Sequence, residues 1–281
     1  MSAASEAPVR MVVSGSIVDR CETDEVLSII GARLGAPSDR GLAVGSVNLD
    51  HLHHFRTVGA GPTGLTEWLL LADGMPIAWR GQLLTAKPWP RVTGADLLPA
   101  VLALAETGGH RVGFFGGSNH THQLLSEHLR QSYPALAVSG MWAPSSSDVE
   151  SSSAALCSAI RAARTDILVV SLGKPRQEQW VDRHGHATGA QVFLPSGGAI
   201  DFLAGMTRRA PDWMQRSGLE WLYRLTHEPR RLARRYLMQG PIALLRAARA
   251  QLICYPGIHY AGLPVREQVE TRSAAVEAAS A

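Results

Sequence analysis

The chain has 281 residues, of which 46% are hydrophobic and 18% are charged, a composition typical of a folded protein and unlike that of a disordered or collagen-like chain. Its longest uninterrupted apolar stretch, Leu97 to Ala105, is far shorter than the ~20 residues of a transmembrane helix, and the N-terminus lacks the pattern of a secretory signal. We therefore expect a cytoplasmic protein with one large domain and an appendage.

Five short apolar runs, each ending at a glycine or a polar residue, predict buried strands. They are Leu42 to Val47, Trp68 to Ala72, Arg111 to Phe115, Ile167 to Leu172 and Gln191 to Leu194. Stretches with helical spacing lie between them, namely Ala95 to Glu106, His120 to Ser132, Val149 to Arg164 and Arg176 to His184. This alternation predicts an α/β fold with a Rossmann-like, mostly parallel sheet that helices cover on both faces.

From about Met206 the strand pattern stops, and amphipathic stretches predict a C-terminal helical appendage. The predicted helices are Trp213 to Leu225, Pro229 to Leu237 and Ile242 to Ile253. We therefore divide the chain into a Rossmann-like core at 1–207, an arginine-rich helical appendage at 208–255 and a mobile tail at 256–281.

The net charge of +3 is distributed unevenly along the chain. Residues 1–207 carry a net charge of −3, whereas residues 208–249 contain ten arginines, no lysine and three acidic residues, a net charge of +7. Such a segment can be a solvated helical face, or it can bind an anionic membrane surface, a phosphate-bearing substrate or nucleic acid. Arginine in place of lysine favours bidentate recognition of phosphate or carboxylate, but composition alone does not separate the alternatives.

The carboxyl ends of the predicted strands carry the residues best suited to bind a ligand, because ligands of doubly wound sheets lie beyond those ends. The residues there are Ser46, Asn48, Asp73, Gly74, Gly116, Gly117, Ser118, Gly173, Lys174, Gln177, Glu178, Ser196, Gly197, Gly198 and Asp201. Glycines let backbone amides approach an anion, so the pattern indicates a phosphorylated or nucleotide ligand. No GxGxxG directly follows a predicted strand and no GxxxxGK[ST] occurs, which disfavours ordinary NAD enzymes and P-loop NTPases.

Seven segments resemble the WecG/TagA/CpsF glycosyltransferases, family 26, in order over about residues 42–240. They are S-V-N (46–48), A-D-G-M-P (72–76), R-V-T-G-A-D (91–96), G-K-P-R-Q-E-Q-W (173–180), G-G-A-I-D-F-L-A-G (197–205), R-A-P-x-W (209–213) and G-L-E-W-L-Y-R-L-x-x-E-P-R-R-L-x-R-R-Y (218–236). The resemblance implies the fold called GT-E. It also implies an inverting transfer of sugar from a UDP-sugar to a polyprenyl-diphosphate-linked saccharide at the cytoplasmic face of the bacterial membrane, in teichoic acid, enterobacterial common antigen or exopolysaccharide synthesis.

The resemblance also implies roles for individual residues. It makes Asp73 the general base that takes a proton from the acceptor hydroxyl, with Ser46 and Asn48 beside it in the catalytic group. Ser46 stands where the family usually has threonine. Gln177 is implied to lie near the diphosphate and sugar, and Asp201 near the uracil.

Other strand-end residues complete the predicted substrate-binding group, which also has structural alternatives. The further members are Gly116, Gly173, Lys174, Glu178 and Gly198. Asp73 and Asp201 could instead cap helices, and Glu178 could be a favourable charge at a helix N-terminus.

The departing diphosphate gathers negative charge in the transition state and needs a cation. No D-x-D occurs in the chain, and the cluster D-H-L-H-H at 50–54 is more typical of a solvated face than of a metal site, so we expect no metal and no cofactor. The resemblance assigns charge neutralisation to Arg224, Arg231 and Arg234. Arg230 and Arg235 fall on other helical faces and suit lipid headgroups.

Together with the absence of a metal motif, the resemblance implies a metal-independent, inverting UDP-sugar transferase, peripheral on the inner face of the cell membrane. Its expected partners are the UDP-sugar, the lipid-linked acceptor and an anionic membrane surface, without nucleic acid; a homo-oligomer is compatible with the pattern. One alternative is a non-catalytic nucleotide sensor, which would have no use for a base. Another is a basic membrane-surface or nucleic-acid-binding module that uses aromatic residues of the appendage, whose helical spacing favours core packing. The sugar, the acceptor and the pathway are not determined by the sequence.

Overall fold

The computed structural model describes residues 9–55, 63–207, 209–227, 229–233 and 238–253, and the strands among them form one nine-stranded sheet. The strands are β1 Arg10–Val13, β2 Ser16–Asp19, β3 Leu42–Val47, β4 Glu67–Ala72, β5 Val112–Gly116, β6 Val138–Trp142, β7 Ile167–Ser171, β8 Val192–Pro195 and β9 Gln251–Ile253. Their order is β6-β5-β7-β8-β3-β4-β2-β1-β9. Strands β6 through β2 in this order pair in parallel, and β1 is antiparallel to both β2 and β9.

Helices cover both faces of the sheet. Those within the described residues are α1 Thr23–Gly35, α2 Leu49–His54, α3 Met75–Thr85, α4 Gly94–Gly108, α5 Asn119–Ser132, α6 Ser146–Ser151, α7 Ser153–Ala162, α8 Arg176–Thr188, α9 Ala199–Leu203, α10 Asp212–Arg216, α11 Glu220–His227, α12 Pro229–Ala233 and α13 Gly240–Ala248. One apolar cluster joins the sheet to α1, α4, α5 and α9, and a second joins it to α2, α3, α7, α8 and α13. The predicted Rossmann-like α/β core with C-terminal helices is therefore confirmed.

The five predicted strands are buried along nearly their whole length, on both faces of the sheet. In β7, Leu168 and Val170 belong to one apolar cluster, and Ile167 and Val169 belong to the other. Such a strand reads as a continuous apolar run rather than an alternating one. The parallel strands of this central region place their carboxyl ends at one edge of the sheet.

Several predicted elements differ from the structure. The prediction omits β1, β2, β6 and β9, and the predicted helix over Val149 to Arg164 is two helices, α6 and α7. The prediction of one continuous helix over Trp213 to Leu225 is also wrong. The structure has two helices there, α10 and α11, separated at Gly218, whose φ of 77° lies in the left-handed region that glycine adopts readily.

The last described part of the predicted appendage is built into the core. The predicted helix over Ile242 to Ile253 is wrong at its end, because α13 stops at Ala248 and β9 pairs with β1, Leu252 opposite Met11. Helix α13 also packs on α2 and α3.

Of the predicted helix over Pro229 to Leu237 the structure describes only α12, and the predicted tail at 256–281 lies outside the described residues. The domain division at 207 stays a prediction. No helix among the described residues is long and apolar enough to span a bilayer.

Candidate functional site

The carboxyl ends of β3, β4, β7 and β8 meet because these strands are parallel neighbours in the order β7-β8-β3-β4. Three hydrogen bonds tie the ends together. Asn48 Nδ2 donates to Asp73 Oδ2 at 2.9 Å, Lys174 Nζ donates to the Ser46 carbonyl oxygen at 2.7 Å, and Gln177 Nε2 donates to the Pro195 carbonyl oxygen at 2.8 Å. The structure thus brings the predicted residues of three sequence segments into one site.

Asp73 stands at the end of β4 and is partly exposed. It does not cap the following helix, since the N-cap residue of α3 is Gly74. Asn48 caps α2 by accepting a hydrogen bond from the His51 backbone N–H at 3.1 Å, and its amide nitrogen holds one oxygen of the Asp73 carboxylate. The other carboxylate oxygen has no hydrogen-bond partner within the described part of the chain, so the side chain is oriented by Asn48 and keeps one oxygen for a further partner.

Two arginines that form ion pairs near the site were not assigned a role from the sequence. Arg209 forms a forked ion pair with Asp96, and Arg91 Nη1 lies 3.5 Å from Glu220 Oε2. Burial alone would lower the pKa of Arg209, but its hydrogen bond to Asp96 and the nearby charges of Asp96, Glu220 and Asp73 raise it. Arg209 is therefore a permanent cation near Asp73. Both arginines lie in segments that resemble the family, R-V-T-G-A-D and R-A-P. Their place in these segments could have indicated a role at the site.

Asp96 is held in place by Thr93, the N-cap residue of its own helix, and by Arg209 from the segment before α10. Burial opposes its ionisation, but hydrogen bonds from Arg209 and from the Thr93 hydroxyl outweigh burial and hold the pKa of Asp96 below its ordinary value. Thr93 is also the N-cap of α4. The two ion pairs therefore fasten α11 and the segment before α10 to the core beside the predicted base.

Lys174 does not point a free charge into the site. Its ammonium donates to Glu178 Oε1 at 2.7 Å as well as to the Ser46 carbonyl, and the Lys174 and Glu178 side chains are 9% and 1% exposed. Beneath them, His51 is fully buried with Nε2 2.9 Å from the Ser16 hydroxyl. Burial, the Lys174 charge and His54 lower the pKa of His51 well below its ordinary value, so it is neutral. The role of Lys174 and Glu178 in substrate binding stays a prediction.

Asp201 and Arg224 lie at the end of β8, on the other side of the site. Asp201 is in the first turn of α9, whose N-cap residue is Gly198 rather than Asp201. The Arg224 guanidinium lies 5.4 Å from the centroid of the Phe202 ring, a cation–π contact, and a Cβ placed on Gly198 would be 3.9 Å from its Nη2. Arg224 Nε is buried without a hydrogen-bond partner in the described chain. This arginine therefore lies beside the residues that follow β8, and its role toward the diphosphate stays a prediction.

The other two predicted arginines are not placed by the structure. Arg231 belongs to α12, but its side chain is not described, and Arg234 lies outside the described residues, as does Arg235. Arg230 is exposed. Of the predicted arginine set, only the position of Arg224 can be compared with the rest of the site.

A cavity of about 560 Å³ opens at the ends of β5 and β7, next to the site. Its lining includes the predicted residue Gly116 together with Gly117, Arg176 and Arg183. Gly116 has φ 92°, and a Cβ there would lie 2.5 Å from the Ser171 carbonyl oxygen, so only glycine fits. Gly173, by contrast, borders open space. The volume is in the range of small-molecule sites.

The chain matches a family model described as the glycosyl transferase WecG/TagA/CpsF family over residues 11–255. Its relatives include proteins named N-acetylglucosaminyldiphosphoundecaprenol N-acetyl-beta-D-mannosaminyltransferase. The one from Bacillus spizizenii is 28% identical over 165 residues, which are 59% of this chain and 63% of the relative. The one from Bacillus subtilis is 27% identical over the same shares, and one from Staphylococcus aureus (strain MRSA252) is 25% identical over 65% of this chain and 69% of the relative.

The matched region spans just under two thirds of the two Bacillus relatives, whereas the family model extends from the first strand of the sheet to beyond the last. The order of the quoted motifs, the parallel sheet and the polar cluster at its carboxyl edge agree with that match. The chain belongs to the WecG/TagA/CpsF family of glycosyl transferases.

Proposed function

We propose that the protein transfers a sugar from a UDP-sugar to a polyprenyl-diphosphate-linked saccharide, with inversion and without a metal ion. The observation that carries the proposal is the oriented, partly exposed Asp73 carboxylate at the strand edge, near the positive charge of Arg209. The names of the relatives support an acceptor that contains N-acetylglucosamine on a lipid diphosphate.

The proposed reaction is a single displacement. The acceptor hydroxyl oxygen attacks the anomeric carbon of the donor sugar as its proton passes to Asp73, while the bond from that carbon to the diphosphate oxygen breaks and UDP departs from the opposite face. Asn48 keeps the carboxylate facing the acceptor by holding one of its oxygens. Attack opposite the leaving group inverts the anomeric centre.

The proposal is tested by measuring UDP release from a panel of UDP-sugars with synthetic lipid-diphosphate saccharides as acceptors. UDP release that requires both substrates, together with a product of inverted anomeric configuration, is the expected result. Binding of UDP without any turnover across the panel would favour the non-catalytic nucleotide sensor instead.

We expect Arg224→Ala to weaken transition-state stabilisation by about 1.5 to 3 kcal/mol, the contribution of a charge-assisted hydrogen bond to the departing diphosphate. The same loss is expected for Arg231→Ala and Arg234→Ala. The measurement is kcat/KM with a water-soluble acceptor and with a vesicle-embedded one, using Arg130→Ala on the exposed face of α5 as the control. A loss confined to the vesicle-embedded acceptor would make these arginines docking residues and contradict the diphosphate role.

Activity should persist in excess EDTA, because arginines rather than a D-x-D-bound cation are proposed to neutralise the diphosphate. Initial rates with and without the chelator should agree. A rate that falls in EDTA and returns on addition of Mg²⁺ or Mn²⁺ would contradict this part of the proposal.

The acceptor's lipid places the reaction at a membrane, and we propose that the protein docks peripherally on the anionic inner leaflet. Exposed apolar side chains support this: Trp213 on α10, Leu222 on α11, and Ile242 and Leu245 on α13. Arg230 is exposed close by in sequence and can contact lipid phosphates. Co-sedimentation with anionic vesicles that is lost on raising salt is the expected behaviour.

A further inference from the structure

The orientation of the Asp73 carboxylate depends on the position of the short helix α2. Asn48, the N-cap residue of α2, accepts a hydrogen bond from the His51 backbone N–H at 3.1 Å and donates one to Asp73 Oδ2 at 2.9 Å. These two bonds use the oxygen and the nitrogen of one side-chain amide, so the amide cannot turn over without losing both. A displacement of α2 therefore moves the group that holds the carboxylate.

The other end of α2 is attached to the C-terminal part of the chain. The last carbonyl groups of a helix have no N–H partner within that helix. In α2, the Leu52 carbonyl oxygen accepts a hydrogen bond at 2.8 Å from Nη1 of Arg246, a residue of α13. Ala243 and Ala247 of α13 are buried in the same apolar cluster as Leu52, and their small side chains allow α13 to lie close to α2.

This attachment complements a contact beneath the helix. His51 is buried and its Nε2 lies 2.9 Å from the hydroxyl of Ser16 on β2, which holds the middle of α2 against the sheet. A helix of six residues that is held at one side chain can still turn about that contact. The Arg246 guanidinium adds a second attachment at the end of α2 opposite to Asn48, so the direction of the helix is fixed as well as its position.

The same C-terminal segment also holds α3, the helix that follows Asp73. Arg80 of α3 donates through Nη2 to the carbonyl oxygen of Ala250, two residues after the end of α13, at 2.8 Å. Helix α13 and the residues directly after it are thus hydrogen-bonded to both helices that leave the site, α2 after Asn48 and α3 after Asp73. They set the position of one helix relative to the other.

We infer that Arg246 is a positioning residue for the proposed base, because it holds α2 where Asn48 can orient the Asp73 carboxylate toward the acceptor. Arg246 acts through α2 and not on the substrate. The inference rests on the proposed function in taking Asp73 as the base. It gives α13 a role in catalysis that is separate from docking on a membrane.

The positioning role is tested first without any substrate. The chain contains two asparagines, Asn48 and Asn119, so protein with isotope-labelled asparagine side-chain nitrogen gives few amide signals in an NMR spectrum. The variant Asp73→Ala provides the reference for a released Asn48 amide. In Arg246→Met the Asn48 signals should move toward that reference, whereas those of Asn119, exposed at the start of α5, should not. Unchanged Asn48 signals in a folded Arg246→Met protein would overturn the inference.

The kinetic test separates kcat from KM. Arg246→Met should lower kcat about 10-fold and change the KM for the nucleotide sugar by less than about 2-fold, because the base is misplaced while the donor contacts remain. Arg246→Lys can still donate to the Leu52 carbonyl oxygen and should recover most of kcat. The matched control is Arg249→Met, an exposed arginine at the end of α13, which should behave as wild type. A higher KM with unchanged kcat in Arg246→Met would overturn the inference.

A double-variant comparison tests whether the effect passes through Asn48. Asn48→Ser keeps an N-cap oxygen for α2 but has no amide to donate to Asp73. If Arg246 acts through Asn48, adding Arg246→Met to Asn48→Ser should lower kcat by less than about 2-fold more. An equal further loss in both backgrounds would show another route and overturn the inference. If wild-type protein transfers no sugar to any acceptor, the proposed function fails, and the Asn48 amide signals still decide whether Arg246 positions α2.

Discussion

Replacing Asp73 by asparagine should lower turnover about 100-fold or more and leave UDP affinity nearly unchanged. Asparagine has almost the same shape and can still face Asn48, but it cannot take the proton from the acceptor hydroxyl. UDP does not depend on that proton transfer, so its binding is preserved. The measurement pairs single-turnover kinetics with titration of UDP.

The matched control is Asp39→Asn, an exposed carboxylate remote from the strand edge, which should have wild-type turnover. Unchanged turnover in Asp73→Asn would remove Asp73 from the role of base. A parallel loss of UDP affinity would instead indicate that the substitution disturbs the site as a whole.

Replacing Glu178 alone by methionine should lower the free energy of unfolding by about 3 to 5 kcal/mol. The substitution leaves the Lys174 ammonium, whose side chain is only 9% exposed, without its counter-charge. Replacing both members by methionine removes the two charges together and should restore stability to within about 1.5 kcal/mol of wild type, since buried ion pairs can be exchanged for apolar residues of similar volume.

Denaturant unfolding of the three proteins gives the comparison, with Glu127→Met as the control for an exposed ion pair. Glu127 pairs with Arg130 on the surface of α5, and its loss should change stability very little. If the single and double variants were equally destabilised, the ion pair would not be the source of the effect.

The central part of the fold is predictable from the sequence because its strands are buried on both faces, which makes a run such as Ile167 to Val170 apolar without interruption. The edge strands lack that signal. β6 is partly exposed along most of its length, and β9 forms only by pairing with β1 at the far end of the chain, which no local pattern reveals. The β1–β2 hairpin had one local signal, the Ser14-Gly15 dipeptide, whose φ values of 48° and 72° suit a two-residue turn.

The candidate site was predictable where the strand-end rule applies and not where the outcome depends on distant contacts. Parallel strands bring Asn48 to Asp73 and place Gln177 at the same edge, as expected. By contrast, the Lys174 ammonium is hydrogen-bonded to the carbonyl oxygen of Ser46, which lies 128 positions earlier in the chain, and no local pattern predicts that contact. The approach of Arg209 to Asp96 likewise depends on the course of the chain after the last central strand.

The pairing of β9 with β1 restricts how far the helices that carry the arginines can move from the core. The segment from α10 to α12 is anchored at both ends, by α9 on one side and by α13 and β9 on the other, so it is a closed loop rather than a free arm. The loss of conformational entropy on closing a loop increases only slowly with loop length. Here the loop is closed when the sheet folds, because β9 pairs with β1. The local concentration of Arg224 at the strand ends is therefore high before any membrane is bound. A truncation after residue 207 would remove an edge strand along with the arginines.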